Sequence, residues 1–394
     1  MRKRFFGVLA AGLIGLTMAG PVGQAAAAQP QPAAAGLAYT AVDPVRVLDT
    51  RRGMPVSASG SVNFDLSGHV PPGASAVALN ITAISPTAPT FVTAHDRWTP
   101  RPGVSSLNLR PLEIRSNEAT VTVNPARPWV TLYNHNGYVN LVADLVGYYS
   151  ADGEMFFNAL ASPRRLFDTR PDPTRIPGGG IIIAPLDDVA PGVVPEGASA
   201  VVLNVTAHQP TRDTFLSVGG GGYVGPATST VNVEMGEVTA NKAIVALPPG
   251  DRKITVRNNA GMVDAFVDIL GYYAADGEAY HPVAPVRAFD SRPTATLPHR
   301  GFQRIPLAHV VPAAATTVSF NLTGIDYYSG GTYLTAFEAG TPRPGISQLN
   351  LNTMQTASNQ TVVPLGVSRA VDLYNHLNYP DAIIDLFGYF APRS

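Results

Sequence analysis

The hexapeptide RVLDTR at Arg46–Arg51 returns as RLFDTR at Arg165–Arg170 and as RAFDSR at Arg287–Arg292, and it opens a series of landmarks that recur in one order. The first copy runs from Tyr39 through AVALNIT, SSLNL, SNEATVTV and TLYNHNG to VADLVGYY, ending at Tyr149. The second carries AVVLNVT, STVNV, TANKAIVAL, TVRNNAG and FVDILGYY up to Tyr273, and the third TVSFNLT, SQLNL, ASNQTVVPL, DLYNHLN and IIDLFGYF up to Phe390. Asp49, Asp168 and Asp290 stand 119 and 122 residues apart. Each copy therefore has the length of a complete small domain, well beyond a solenoid unit.

Inside each copy, short apolar runs rich in Val, Leu, Ile, Phe and Thr are punctuated by Gly, Pro, Asn and Asp, without a 3.6-residue period. With 37 Gly, 36 Pro and only 14% charged residues, the chain reads as all-β. The expected architecture is three tandem antiparallel β-sandwich repeats, jelly-roll-like, over residues 39–150, 157–274 and 280–394. The hinges SADGEMF and AADGEAY should hold the three bodies in a compact row. Their Asp-Gly pairs read as turns, because the alternating carboxylates of a calcium loop are missing; neither a metal nor another cofactor is expected.

Arg2, Lys3 and Arg4 precede the apolar stretch FFGVLAAGLIGLTMAG and the small residues GQAAAAQP, the order of a secretory signal peptide. Residues 1–28 are read as that peptide, cleaved near Ala28, and 29–38 as a disordered leader. The stretch is too short for a membrane span, so the mature protein is expected to be exported, extracellular or attached to the cell surface, without membrane insertion. Without the signal's cations, 24 Lys and Arg face 28 Asp and Glu, which argues against nucleic acid as a partner. There is no cysteine, hence no disulfide framework.

The last run of each copy holds an aspartate among apolar neighbours: Asp144 in LVADLVGYY, Asp268 in AFVDILGYY and Asp385 in AIIDLFGYF. An unpaired carboxylate in such an interior costs several kcal/mol, so a cation should meet it, and the planar fork of arginine fits best. Each copy offers two arginines and two aspartates: Arg46, Arg51, Asp49 and Asp144; Arg165, Arg170, Asp168 and Asp268; Arg287, Arg292, Asp290 and Asp385. In an extended strand Arg46 and Asp49 point to opposite faces, so one arginine should clamp the last strand while the other pairs outward. These twelve residues are read as structural ion pairs. Acid–base hydrolysis by a pair such as Asp49 and Asp144 is the weaker alternative, since catalytic sites rarely occur in three tandem copies.

Motifs of nucleophilic, zinc-dependent or phosphate-binding enzymes are absent, so no catalytic residue is assigned. Asn80, Asn204 and Asn321 open N-x-T sequons but sit between apolar strand residues, where a bond to backbone across a bulge is expected; Asn117, Asn241 and Asn359 are read in the same way. Copies one and three share TPRPG loops carrying Arg101 and Arg343, and the tripeptides Tyr133–Asn134–His135 and Tyr374–Asn375–His376. An aromatic face beside planar polar groups is what sugar binding uses, so these eight residues are the candidate ligand contacts.

The ordered blocks RxxDTR, LNVT, SxLN, AN before a strand, and DxxGYF resemble a repeat widespread in exported bacterial proteins, particularly actinobacterial ones, of largely uncharacterised function. The resemblance spans about residues 39 to 390. It implies export, a β-rich domain and attachment to surface or hydrolytic proteins as an accessory module, and it carries over no catalytic residue. Copy three departs from it with Ser291 in place of threonine, and copy one with SNEAT where AN is usual. The resulting expectation is a non-catalytic binding or adhesion module for cell-envelope or environmental polysaccharide. A passive structural protein of the cell exterior and an unrecognised secreted hydrolase are the alternatives; oligomeric state is left open.

Overall fold

The computed structural model describes residues 36–171, 175–222 and 228–393. The expected signal peptide and most of the leader lie outside the described residues. In the first repeat the strands are β1 (Ala38–Asp49), β2 (Ser61–Asp65), β3 (Ala76–Ile84), β4 (Thr90–Asp96), β5 (Leu107–Leu109), β6 (Ile114–Thr122), β7 (Trp129–Asn134) and β8 (Asn140–Ser150). They pair into two antiparallel four-stranded sheets, ordered β1-β8-β3-β6 and β2-β7-β4-β5. The other two repeats repeat both orders, their first strands spanning Phe156–Asp168 and Ala279–Asp290 and their last Asp264–Ala274 and Asp381–Ala391. The fold is thus all-β, built from six such sheets.

Alternation along β3 shows why the apolar runs are continuous. Val77, Leu79, Ile81 and Ala83 enter the repeat's own core with Val92, Leu132 and Leu145, whereas Ala76 and Ala78 on the opposite face join a separate cluster. That cluster draws Val146 and Tyr149 from repeat 1, Val202, Leu270 and Tyr273 from repeat 2, and Ile346, Val362 and Phe390 from repeat 3. Strands β8, β3 and β6 are therefore buried on both faces, while the edge strand β1 stays half-exposed beyond its first residues. Full burial of each large apolar side chain is worth about 1.5–3 kcal/mol, so pulling the repeats apart is strongly unfavourable.

The repeats close on one another and do not form the expected row. Leu37 exchanges backbone hydrogen bonds with Tyr280 of repeat 3, Tyr39 N–H donates to Met155 beside repeat 2, and Phe157 pairs with Glu278. Leu37 and Ala38 are consequently buried, so the leader's last residues belong to the folded body. Six aromatic rings, two per repeat, follow in a closed circuit: Tyr39–Tyr149 at 5.0 Å, Tyr149–Tyr280 at 4.4, Tyr280–Phe390 at 5.1, Phe390–Phe157 at 4.4, Phe157–Tyr273 at 5.3 and Tyr273–Tyr39 at 4.4. Gly147, Gly271 and Gly388 admit this packing, because a Cβ at any of them meets the ring of Tyr39, Phe157 or Tyr280.

A second circuit is polar. Strand β6 and its counterparts are sheet edges, and their free backbone donors are met by asparagines of a neighbouring repeat: Glu118 N–H by Asn241 at 2.9 Å, Lys242 N–H by Asn359 at 2.8 Å and Gln360 N–H by Asn117 at 2.9 Å. The same asparagines donate to Asn80, Asn204 and Asn321, which in turn donate to Ser229, Ser347 and Ser105 carbonyls of the next repeat. The sequons are therefore buried junctions between repeats, correcting the expectation of local bulge contacts. Beside them the equivalent positions Glu118, Lys242 and Gln360 meet: Lys242 Nζ lies 3.1 Å from Glu118 Oε2 and donates to Gln360 Oε1 at 3.1 Å.

Candidate functional site

The recurring arginines and aspartates assemble in the same way in each repeat. Arg46 Nε donates to Asp144 Oδ1 at 2.7 Å and Arg287 Nε to Asp385 Oδ1 at 2.6 Å, while Arg165 Nε bonds Asp268. The three aspartates are at most 1% exposed. The strict alternation expected for the first strand fails. A bulge between Arg46 and Leu48 turns Arg46 toward Asp49 as well, at 3.6 Å, and Arg165 and Arg287 reach Asp168 and Asp290 at 2.6 and 3.1 Å. Asp49, Asp168 and Asp290 also take Arg51, Arg170 and Arg292 at 2.5–2.6 Å. The hydroxyl completes the hexapeptide: Thr50 Oγ1 accepts from Leu141 N–H at 2.8 Å, Thr169 from Ala265 and Ser291 from Ala382, each at 2.9 Å. Ser291 supplies the same oxygen as threonine, which accounts for the substitution.

Burial raises the carboxyls of Asp144, Asp385 and Asp268 above the ordinary range, and Arg46, Arg287 and Arg165 only partly offset it; Asp268 is pushed up to about 6. Asp49 moves the other way, to about 2, chiefly through its bonds with Arg51. Asp168 and Asp290 are lowered by Arg170 and Arg292 in the same manner.

The eight candidate ligand contacts divide sharply. Arg101 lies over the Tyr133 ring at 4.1 Å beside a Phe91–His135 stack at 4.4 Å, and Arg343 lies over Tyr374 at 4.1 Å beside Tyr333–His376 at 4.5 Å. These arginines are exposed, and the aromatic rings are partly so. Asn134 and Asn375 do not belong with them. Both are fully buried: Asn134 donates to Val56, Ser57 and Gly137 carbonyls and accepts from Thr90, and Asn375 donates to Pro298 and Asn378 and accepts from Thr332. They close turns; alternation points them inward when the flanking rings face out.

A groove of about 960 Å³ runs between repeats 2 and 3. Repeat 3 contributes Tyr333, Arg343 and His376, and repeat 2 contributes Arg165, Arg170, His208 and Phe266, with Arg110 reaching in from repeat 1. Arg165 and Arg170 both lie over Phe266, at 4.6 and 4.2 Å. Arg110 is held by Glu237 at 2.8 Å. Burial lowers both histidines, helped by Arg170 at His208 and by Arg300 and Arg343 at His376. Tyr374 instead faces an adjoining cavity of about 360 Å³ with Arg300, Phe302 and Arg304. Sequence reasoning missed His208, Phe266 and Tyr333 because a groove between repeats has no local pattern.

Among the described residues, no helix is long and apolar enough to cross a membrane. Neither a protein-family model nor a curated protein matches the chain. Two solved structures are similar to it over most of its length. One is described as "Life in the extremes: atomic structure of Sulfolobus Turreted Icosahedral Virus", at 9% identity, covering 90% of this chain and 91% of that chain with a TM-score of 0.18. The other is "The Triple Jelly Roll Fold and Turret Assembly in an Archaeal Virus", at 10% identity, 91% of each chain and a TM-score of 0.19. At such scores the superpositions carry no argument about this chain.

Proposed function

We propose that the protein is an exported, non-catalytic module that binds cell-envelope or environmental polysaccharide, each repeat being a jelly-roll-like sandwich. The groove between repeats 2 and 3 carries the reading. The partly exposed ring of Tyr333, beside guanidinium and imidazole groups, combines an apolar face with planar hydrogen-bonding edges, the pairing a sugar ring requires. The strand orders β1-β8-β3-β6 and β2-β7-β4-β5, with one apolar cluster shared by both sheets of a repeat, support the sandwich assignment. Asp49, Asp168 and Asp290 of the hexapeptides are each engaged by two arginines, which disfavours the hydrolytic alternative.

The test is retention of the purified protein on a panel of insoluble and immobilised polysaccharides, with Tyr333→Ala beside the wild type. Binding that drops in the variant supports the module; background retention on every polysaccharide leaves the passive structural role. Release of reducing sugar during the incubation would revive the hydrolase.

A further inference from the structure

We propose that the groove between repeats 2 and 3 selects an acidic saccharide, with its carboxylate or sulfate held by Arg343; this rests on the saccharide-binding reading. The argument is one of unmatched charge. Arg165 is committed to Asp268 and Asp168, Arg170 to Asp168 and Arg110 to Glu237. Arg343 has no carboxylate within ion-pair distance among the described residues, although it lines the same groove. Its guanidinium carbon lies over the Tyr374 ring, 4.1 Å from the centroid, and Nη1 is 3.5 Å from the Tyr333 hydroxyl. A guanidinium stacked in this way keeps its donor edge available for a two-pronged bond to an oxyanion.

The neighbouring His376 reports the same field. It stacks on Tyr333 at 4.5 Å, and Arg300, Arg343 and His299 add to burial in lowering its basicity. An anion placed against Arg343 offsets that repulsion, so the His376 titration midpoint should rise when the ligand binds.

Titration calorimetry of the purified full chain compares three probes of equal length: oligogalacturonate, a sulfated glucan oligomer and an uncharged glucan oligomer. The expected result is preference for an acidic probe over the uncharged one by roughly tenfold or more, the size of a hydrogen bond to a charged group. Arg343→Ala should lose a comparable factor, Arg343→Lys should recover part of it, and Arg127→Ala should bind as the wild type does. The two acidic arms separate carboxylate from sulfate recognition. Equal binding of charged and uncharged probes, or acidic binding untouched by Arg343→Ala, overturns the acidic specificity and leaves the saccharide reading standing. No binding of any probe removes both.

Discussion

Asp268 and Arg165 illustrate how little a buried ion pair stabilises when one partner loses all its water. The folded carboxyl sits near 6 against an unfolded value of about 3.9, so the native state holds its proton more tightly than the unfolded chain does. That contribution is fully present below about pH 4 and lost as pH rises through 6, a fall of roughly 2–3 kcal/mol. Asp49 opposes it: held down to about 2, it stabilises above the ordinary carboxylate range and stops doing so as pH drops toward 2. Denaturant melts of wild type and Asp268→Asn at pH 4 and pH 7 isolate the first effect. The variant's stability relative to wild type is expected to rise with pH, and a pH-independent difference would contradict the assignment. The hydroxyl of the hexapeptide gives a sharper contrast. Thr50→Ser should be nearly neutral, since Ser291 serves in repeat 3, whereas Thr50→Val leaves the buried Leu141 N–H unmet at about 1–3 kcal/mol.

Strands carry two separate obligations in this fold. The β8 strand presents Leu141, Ala143 and Leu145 to its own core, while its other face holds Asp144 and Val146 toward the remaining repeats. Gly147 lies where the Tyr39 ring crosses that strand, with the Tyr39 hydroxyl donating to Val146 O at 2.9 Å. Gly147→Ala is expected to cost about 1–3 kcal/mol by displacing the ring, measurable as a lowered denaturation midpoint. The edge strands depend on asparagine in the same way. Asn241 accepts from Glu118 N–H and donates to Asn80 Oδ1 and Thr230 O, so Asn241→Ala strands several buried groups at about 3 kcal/mol or more. Asn241→Asp keeps the acceptor but sets a buried carboxylate against Asn80 Oδ1 and Thr230 O, so it should cost at least as much as Asn241→Ala.

Across the whole molecule, three equivalent positions have diverged into an acid, a base and an amide. Glu118 and Lys242 are 1% and 2% exposed and complement each other, with Gln360 Oε1 accepting a further hydrogen bond from the ammonium. Three identical residues would put like charges together at two of these choices, so the divergence suits a closed arrangement within one chain. Lys242→Glu should therefore destabilise by about 3–5 kcal/mol, and the double change Glu118→Gln with Lys242→Gln should recover most of that loss. Because the aromatic circuit and its apolar surroundings belong to all three repeats, calorimetry of the full chain is expected to show one transition; three resolved transitions would mean independent domains.

The amino-acid sequence by itself determined the threefold repetition, the β class and the need for an arginine beside each late-strand aspartate, since these follow from spacing, alternation and the cost of burying charge. It also singled out Arg343 and His376 through their repetition in copy one. Only the tertiary structure decided that the repeats close in a circuit, that Asn134 and Asn375 face inward, and that Asn80 and Asn241 join different repeats. The physical reason is range. Alternation and charge pairing are legible within a strand or between the two ends of one repeat, whereas a groove built from His208 and Tyr333 depends on how the surfaces of two repeats fit, and that complementarity leaves no periodic trace along the chain.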